Sequence, residues 1–243
     1  MMRNITNKIK RECDVVLVVA DARSPGTIFR FRPYPGQETI LILNKIDLCT
    51  EEEIRTLREK YRGAILMSAR TRKGKGHLLH TLIRIAKEKE HLIKVGVIGV
   101  PNVGKSSIIN LLRGKRSART SPTPGETKGI QWLKLNKNIL LYDSPGVFIR
   151  DPGEEAIAHA STVSAEKMKN PEEAATKVLS HIIKTRGRIH VAAHYGIEIA
   201  ESDDEYAILE KIAVRNGMLL KGGELDTDRA AKRVIHDWQT GKI

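Results

Sequence analysis

Cysteine is scarce in this chain: Cys13 and Cys49 are the two in 243 residues. Two cysteines cannot build a disulfide framework, and their spacing matches no metal or redox motif, so a reducing cytosol is expected, with both thiols as inert packing groups. Long apolar runs are also missing. The first, Val15 to Ala20, is far too short to cross a bilayer, and the polar start MMRNITNKIKRE lacks the anatomy of a signal peptide. The expectation is therefore a cytoplasmic protein without a membrane partner. Long biased tracts and internal repeats are absent too, which argues against intrinsic disorder and repeat architectures.

What the chain does have is basic charge: 42 Lys and Arg against 29 Asp and Glu, a formal net charge of +13. With 40% apolar residues it can bury a real core in one large domain or two small ones. The basic excess belongs to one part only. Residues 1–150 hold 29 basic and 13 acidic side chains, whereas residues 151–243 hold 13 and 16. So large a surplus suits a polyanion partner such as RNA, and ordinary solvated lysines that aid solubility are the competing reading.

Five short runs rich in β-branched residues, Val15–Val19, Thr39–Leu43, Ala64–Met67, Val95–Val100 and Ile139–Tyr142, read as strands buried on both faces. Helical spacing lies between several of them, at Glu51–Tyr61, Lys75–Lys89 and Lys105–Arg113, the last stopped by Gly114. Strand alternating with helix means an α/β domain, a mainly parallel sheet with helices on both faces. Ile130–Leu135 and Asn138–Tyr142, joined at Asn136-Lys137, predict a hairpin that adds one antiparallel strand. Near Asp151-Pro152-Gly153 the composition changes to helical periods: Glu154–Ala160, Pro171–Thr185, Glu205–Asn216 and Thr227–Thr240, with Asp226 as N-cap of the last. The expected division is one domain over residues 1–150 and a small helical domain over 151–243.

Gly99-Val100-Pro101-Asn102-Val103-Gly104-Lys105-Ser106 matches the phosphate-binding pattern GxxxxGK[ST], directly after a predicted strand and at the start of a predicted helix. The glycines let successive backbone N–H groups, from Asn102 and Val103 through Gly104 to Ser107, wrap the α- and β-phosphates. Lys105 neutralises β- and γ-oxygens, and the Ser106 hydroxyl suits magnesium. Asp143-Ser144-Pro145-Gly146 ends another strand, where Asp143 can hold a magnesium-bound water and the Gly146 N–H can meet the γ-phosphate. Between them, Thr127 is the candidate for magnesium and γ-phosphate contact, with Thr120 and Thr123 as rivals.

Asn44-Lys45-Ile46-Asp47 reads as the base selector, because a carboxylate accepts from both N1–H and the exocyclic amine of guanine. Asp47 would reject adenine, Asn44 would tether the loop, and the Lys45 stem can cover the base face. Ser68-Ala69-Arg70 ends a further strand, and the Ala69 N–H is a candidate donor to guanine O6. Two basic runs, Arg70, Arg72, Lys73 and Lys75, and Arg113, Lys115, Arg116 and Arg119, flank these loops as a candidate RNA-facing rim. His190 and His194 have an i, i+4 metal spacing without an evident third ligand.

The order of these motifs is their most diagnostic property. In ordinary GTPases the phosphate loop comes first; here NKID and SAR precede it, so the domain is circularly permuted. The chain resembles the circularly permuted ribosome-assembly GTPases of the YlqF/YawG type in that order and in Asp21-Ala22-Arg23-Ser24-Pro25, GVPNVGKSS, PGETKG and DSPG. The ending matches as well, in Gly223-Glu224-Leu225-Asp226, Arg229-Ala230-Ala231, Asp237 and Gly241-Lys242. The resemblance implies guanine nucleotide hydrolysis, a cytoplasmic location and binding to a ribosomal particle, typically the large subunit; Mg2+ as cofactor, slow intrinsic turnover with Val147 after DSPG, nucleotide-dependent binding and a monomer are expected besides. The catalytic set it implies is Lys105, Thr127, Gly146 and Asn102. Asn102 resembles the asparagine that in related GTPases helps hold K+ beside the phosphates. A GTP-dependent RNA-binding module acting on tRNA or another RNA is the alternative. Two departures stand out: FRFRPYPG within residues 26–36 replaces a more polar segment, and residues 151–243 are slightly acidic.

Overall fold

The structure is a computed structural model that describes residues 9, 11–25, 33–114, 132–143, 160, 163 and 165–243, with Asp143 and Lys167 described by their backbone alone. It forms two compact units, Met1–Arg150 and Asp151–Ile243.

In the first unit a six-stranded sheet has the order β3-β2-β1-β4-β6-β5, from β1 (Val15–Asp21), β2 (Glu38–Asn44), β3 (Ile65–Leu66), β4 (Ile93–Ile98), β5 (Trp132–Asn136) and β6 (Ile139–Asp143). β5 runs antiparallel to β6, and every other neighbour pair is parallel. Strand alternation explains both layers. Val15, Leu17, Val19, Val95, Val97 and Leu141 face α2 (Lys75–Glu88) and α3 (Lys105–Arg113), whose Leu78, Leu82, Ile85, Ile108 and Leu112 complete that core. The next residues along β1 serve the other face, Val16 and Val18 packing with Ile9 and Ala20 with Leu57 of α1 (Glu51–Lys60). All seven β1 residues are buried, Asp21 included.

β4 stops at Ile98, short of the predicted Val100, because Gly99 at φ 154° turns the chain out of the strand. The predicted strand Ala64–Met67 shrinks to Ile65–Leu66, beyond which Met67 bonds backward to the Leu43 carbonyl and Ser68 to Lys73. α1 begins with a capping box, Thr50 accepting from the Glu53 N–H while the Glu53 carboxylate accepts from the Thr50 N–H.

The second unit is helical among the described residues: α4 (Pro171–Arg186), α5 (Arg188–Tyr195), α6 (Glu205–Arg215) and α7 (Thr227–Thr240). Val178, Leu179, Ile182, Ile208, Leu209, Ile212, Val234, Ile235 and Trp238 make its core. Asp226 caps α7 by accepting from the Arg229 N–H. α5 is not foreseen from the sequence; Gly187 at φ 85° breaks the helical run, and Val191 and Tyr195 then bury one face of a single extra pair of turns. The predicted helix Glu154–Ala160 lies outside the described residues except for Ala160. No helix among the described residues is long and apolar enough to cross a membrane.

Candidate active site

The carboxyl ends of parallel strands are where an open α/β sheet leaves a crevice for ligands. Asp21, Asn44, Gly99 and Asp143 stand at or just beyond the ends of β1, β2, β4 and β6. After β4 the chain makes a tight loop through Gly99 (φ 154°), Asn102 (φ 61°) and Gly104 (φ 93°) into α3. A Cβ on Gly99 would lie 2.3 Å from the Val19 carbonyl oxygen, and one on Gly104 2.3 Å from Asn44 Nδ2, so neither place accepts a side chain. The first turn of α3 has no side-chain cap, which leaves its N–H groups for an anion. Asn102, Ser106 and Ser107 are exposed there, while Val103 is buried. Lys105 is buried, with Nζ donating to the Val100 carbonyl at 2.6 Å, so its ammonium lies curled over the loop.

Asn44 joins two loops that are distant in sequence. Its Nδ2 donates to the Val103 carbonyl at 2.8 Å, and its Oδ1 accepts from the Ala69 N–H at 3.0 Å. That second bond occupies the Ala69 N–H, the candidate donor to guanine O6, so a bound base would share it with Asn44 or displace that amide. Ser68 is fully buried and its Oγ accepts from the Thr71 N–H at 3.0 Å, which closes the turn. Asp47 sits in the short 3-10 turn Ile46–Leu48, and Arg70 Nε donates to its Oδ2 at 2.7 Å. Arg70, assigned from sequence to an RNA face, is thus drawn into the base loop.

Sequence reasoning gave no role to Asp21 and Arg23. The Asp21 carboxylate accepts from Arg23 N at 3.0 Å, Nε at 3.1 Å and Nη2 at 2.8 Å, and Lys45 Nζ lies 3.0 Å away. Burial alone would raise the Asp21 carboxyl; hydrogen bonds and charge from Arg23, then Lys45, outweigh it and hold the group below the usual carboxylate range. The signal available in the sequence was a carboxylate ending a wholly apolar strand.

A model described as RsgA GTPase matches residues 15–151, and one described as 50S ribosome-binding GTPase matches residues 94–214. The chain belongs to the circularly permuted GTPases of the YlqF type. GNP-bound YlqF from T. maritima superposes with a TM-score of 0.65 at 26% identity, covering 99% of this chain and 94% of that one. An uncharacterized GTP-binding protein of Methanocaldococcus jannaschii is 40% identical over the full chain, which covers 66% of it. Nucleolar GTP-binding protein 2 of Pneumocystis carinii is 37% identical over 95% of the chain, which covers 50% of that relative. The chain spans between 40% and 66% of the length of such curated relatives.

In this permuted GTPase Ser106, the sequence's candidate for magnesium, has an exposed side chain in the first turn of α3. No group of three His, Cys, Asp or Glu side chains is gathered for a metal among the described residues. A hydroxyl oxygen is the kind of hard donor Mg2+ takes, alongside waters and substrate phosphate oxygens. Thr127, its rivals Thr120 and Thr123, Gly146, Lys115, Arg116 and Arg119 lie outside the described residues. Arg72 and Lys73 are exposed, and Lys75 and Arg113 are half-buried. His190 and His194 share α5, where His194 Nε2 faces Asp237 Oδ2 at 3.5 Å, and no group of three such side chains is gathered there among the described residues. Cys13 is buried, and chiefly desolvation pushes its thiol up to about 12, which disfavours the nucleophilic thiolate.

Proposed function

We propose that the chain binds GTP at the carboxyl edge of the sheet, hydrolyses it to GDP and phosphate, and in doing so controls its association with a maturing ribosomal particle, the large subunit in particular. The observation that carries the nucleotide reading is Asn44. Its amide connects the phosphate loop to the Ser68–Arg70 loop, so one side chain links the phosphate and base halves of the site. Guanine is read by the Asp47 carboxylate, with the Lys45 stem on its face. Asn102, Val103, Gly104, Lys105, Ser106 and Ser107 take the phosphates, and Lys105 exchanges the Val100 carbonyl for phosphate oxygens. When bound, Mg2+ would neutralise charge on the β- and γ-oxygens. Ser106, Thr127 and Asp143 are the residues to hold it, and the Gly146 N–H is the group to contact the γ-phosphate.

Val147 follows DSPG in the sequence, where many GTPases place a glutamine that orients water, so an aliphatic side chain stands there. The exposed Asn102, in a left-handed conformation at the phosphate loop, is the residue for a K+ that offsets transition-state charge. Turnover is accordingly slow, faster in potassium than in sodium, and Asn102→Ala abolishes the difference. Equal rates in both salts for the unaltered protein would remove the ion from the account.

The ribosomal reading is supported by the basic excess of residues 1–150 and by the 50S ribosome-binding description of a matching family model. The compartment follows the particle: cytoplasmic where ribosomes assemble there, nucleolar as in the names of eukaryotic relatives. Co-sedimentation with separated ribosomal subunits, across a salt series, in GDP and in a non-hydrolysable GTP analogue, is the test. Expected are tighter binding with the GTP analogue and a steep fall with salt, since each neutralised phosphate releases counterions. Replacing Arg113, Lys115, Arg116 and Arg119 together flattens the slope and spares GDP affinity. Association with tRNA or free RNA but with neither subunit would favour the RNA-module reading.

A further inference from the structure

Asp21 is 1% exposed, Arg23 is 5% exposed, and neither is accounted for by the nucleotide contacts above. A carboxylate and a guanidinium sunk together at a strand end are weak evidence for stability, because apolar side chains of similar volume commonly do as well or better there. What this pair does that apolar residues cannot do is hold a third charge. Lys45 Nζ lies 3.0 Å from Asp21 Oδ2, and the Lys45 side chain is only 19% exposed. The same residue carries a left-handed backbone, φ 68° and ψ 31°, uncommon for a lysine and sustained only where the surroundings determine it. Lys45 is the N-cap of the turn Ile46–Leu48, which carries Asp47.

The backbone adds a second link between the same two segments. Asp21 pairs in register with Asn44, and the Ala22 N–H donates to the Asn44 carbonyl at 2.8 Å. Residues 21–23 therefore clamp both Asn44 and Lys45, one through the main chain and one through charge. With its ammonium tied at Asp21, Lys45 cannot swing its charge toward a phosphate, and the part it can offer a ligand is its methylene stem.

We propose that Asp21 is a positioning residue of the guanine site, with Arg23 as its neutralising partner: together they tether the Lys45 ammonium so that its stem forms a fixed apolar face for the base. The proposal rests on the reading of Asn44–Asp47 as the guanine loop. It explains why a charged triad lies behind that loop, and it assigns a role to the Asp21-Ala22-Arg23 motif.

The test compares GDP and inosine diphosphate affinities for the unaltered protein, Asp47→Asn, Asp21→Asn, Lys45→Met, Lys45→Ala and the Asp21→Asn/Lys45→Ala pair, with thermal midpoints recorded for each. Lys45→Met keeps a stem of similar length without the tether, and as a partly exposed replacement it does not depend on refilling the core. Asp21→Asn and Lys45→Met should each weaken GDP and inosine diphosphate alike, on the order of tenfold, the size of one lost base-stacking contact. Asp47→Asn should instead lose the discrimination between the two, because the inosine base lacks the 2-amine. In the Lys45→Ala background, Asp21→Asn should cost no further affinity. Lys45→Met binding GDP as the unaltered protein does would overturn the tether, whether or not Asp21→Asn folds. An undiminished loss from Asp21→Asn in the Lys45→Ala background would overturn it too, showing that Asp21 acts through the fold at large. If Asp47→Asn leaves GDP affinity unchanged, the guanine reading itself fails and the tether falls with it.

Discussion

Asp47 combines two properties that a base-reading carboxylate needs. It is mostly shielded from water, which strengthens a hydrogen bond, and its partner Arg70 is 74% exposed and therefore free to move when a ligand arrives. Of the two oxygens, Oδ2 is the one Arg70 occupies. Asp47→Asn replaces an acceptor by a donor facing the guanine amine and N1–H, so GDP affinity should fall on the order of 100-fold, about 2.7 kcal/mol. Xanthosine diphosphate, which presents an acceptor in place of the amine, should gain affinity in the same variant. Isothermal titration with both nucleotides measures the pair of changes, and an unchanged preference would contradict the assignment. At this scale the sequence makes a candidate legible where the chemistry is local, as in the Asn44–Asp47 and Gly99–Ser106 motifs. The bond from the Ala69 N–H to Asn44 was not legible, because Asn44 lies 25 residues away at the end of β2.

Elements were legible wherever periodicity and punctuation agree. α3 runs from Lys105 to Arg113 and α7 from Thr227 to Thr240, both as their glycines and caps indicate. α5 escaped because eight residues give too few turns for a period to emerge, and only Gly187 marks its start. The α7 cap offers a clean measurement. Asp226 accepts from the Arg229 N–H at 2.9 Å, and the helix buries Ala230, Ala231, Val234, Ile235 and Trp238 in the second unit. Asp226→Ala should destabilise that unit by about 1 kcal/mol, read as a lower denaturation midpoint with unchanged denaturant slope. Since the nucleotide loops belong to the first unit, GDP affinity should stay the same. A loss of GDP affinity in this variant would show that the helical unit contributes to the nucleotide site.

For the whole molecule, permutation changes what the γ-phosphate contact is connected to. In an unpermuted GTPase the segment after DxxG returns to the sheet, whereas here residues 147–153 lead from Gly146 into the second unit along the chain. A contact that orders Gly146 in one nucleotide state therefore reaches residues 151–243 by a short covalent path. Amide hydrogen exchange within 151–243 should accordingly be slower with a non-hydrolysable GTP analogue than with GDP. Superimposable exchange in the two states would rule out this coupling and leave particle binding to be controlled from the first unit alone.

By itself the sequence determined the motifs, their permuted order, and the alternation that implies a parallel sheet. These are properties of local pattern: a strand buried on both faces must be apolar throughout, and a loop that wraps phosphates must be rich in glycine at set intervals. Tertiary structure decided which polar groups meet. Nothing in the spacing of Asp21, Arg23 and Lys45 announces a buried ion pair that holds a third charge, and Asn44 finds Val103 only because β1 and β4 pair in parallel beside β2. Such pairings depend on strand order and register, which follow from how the whole sheet packs against helices on both faces.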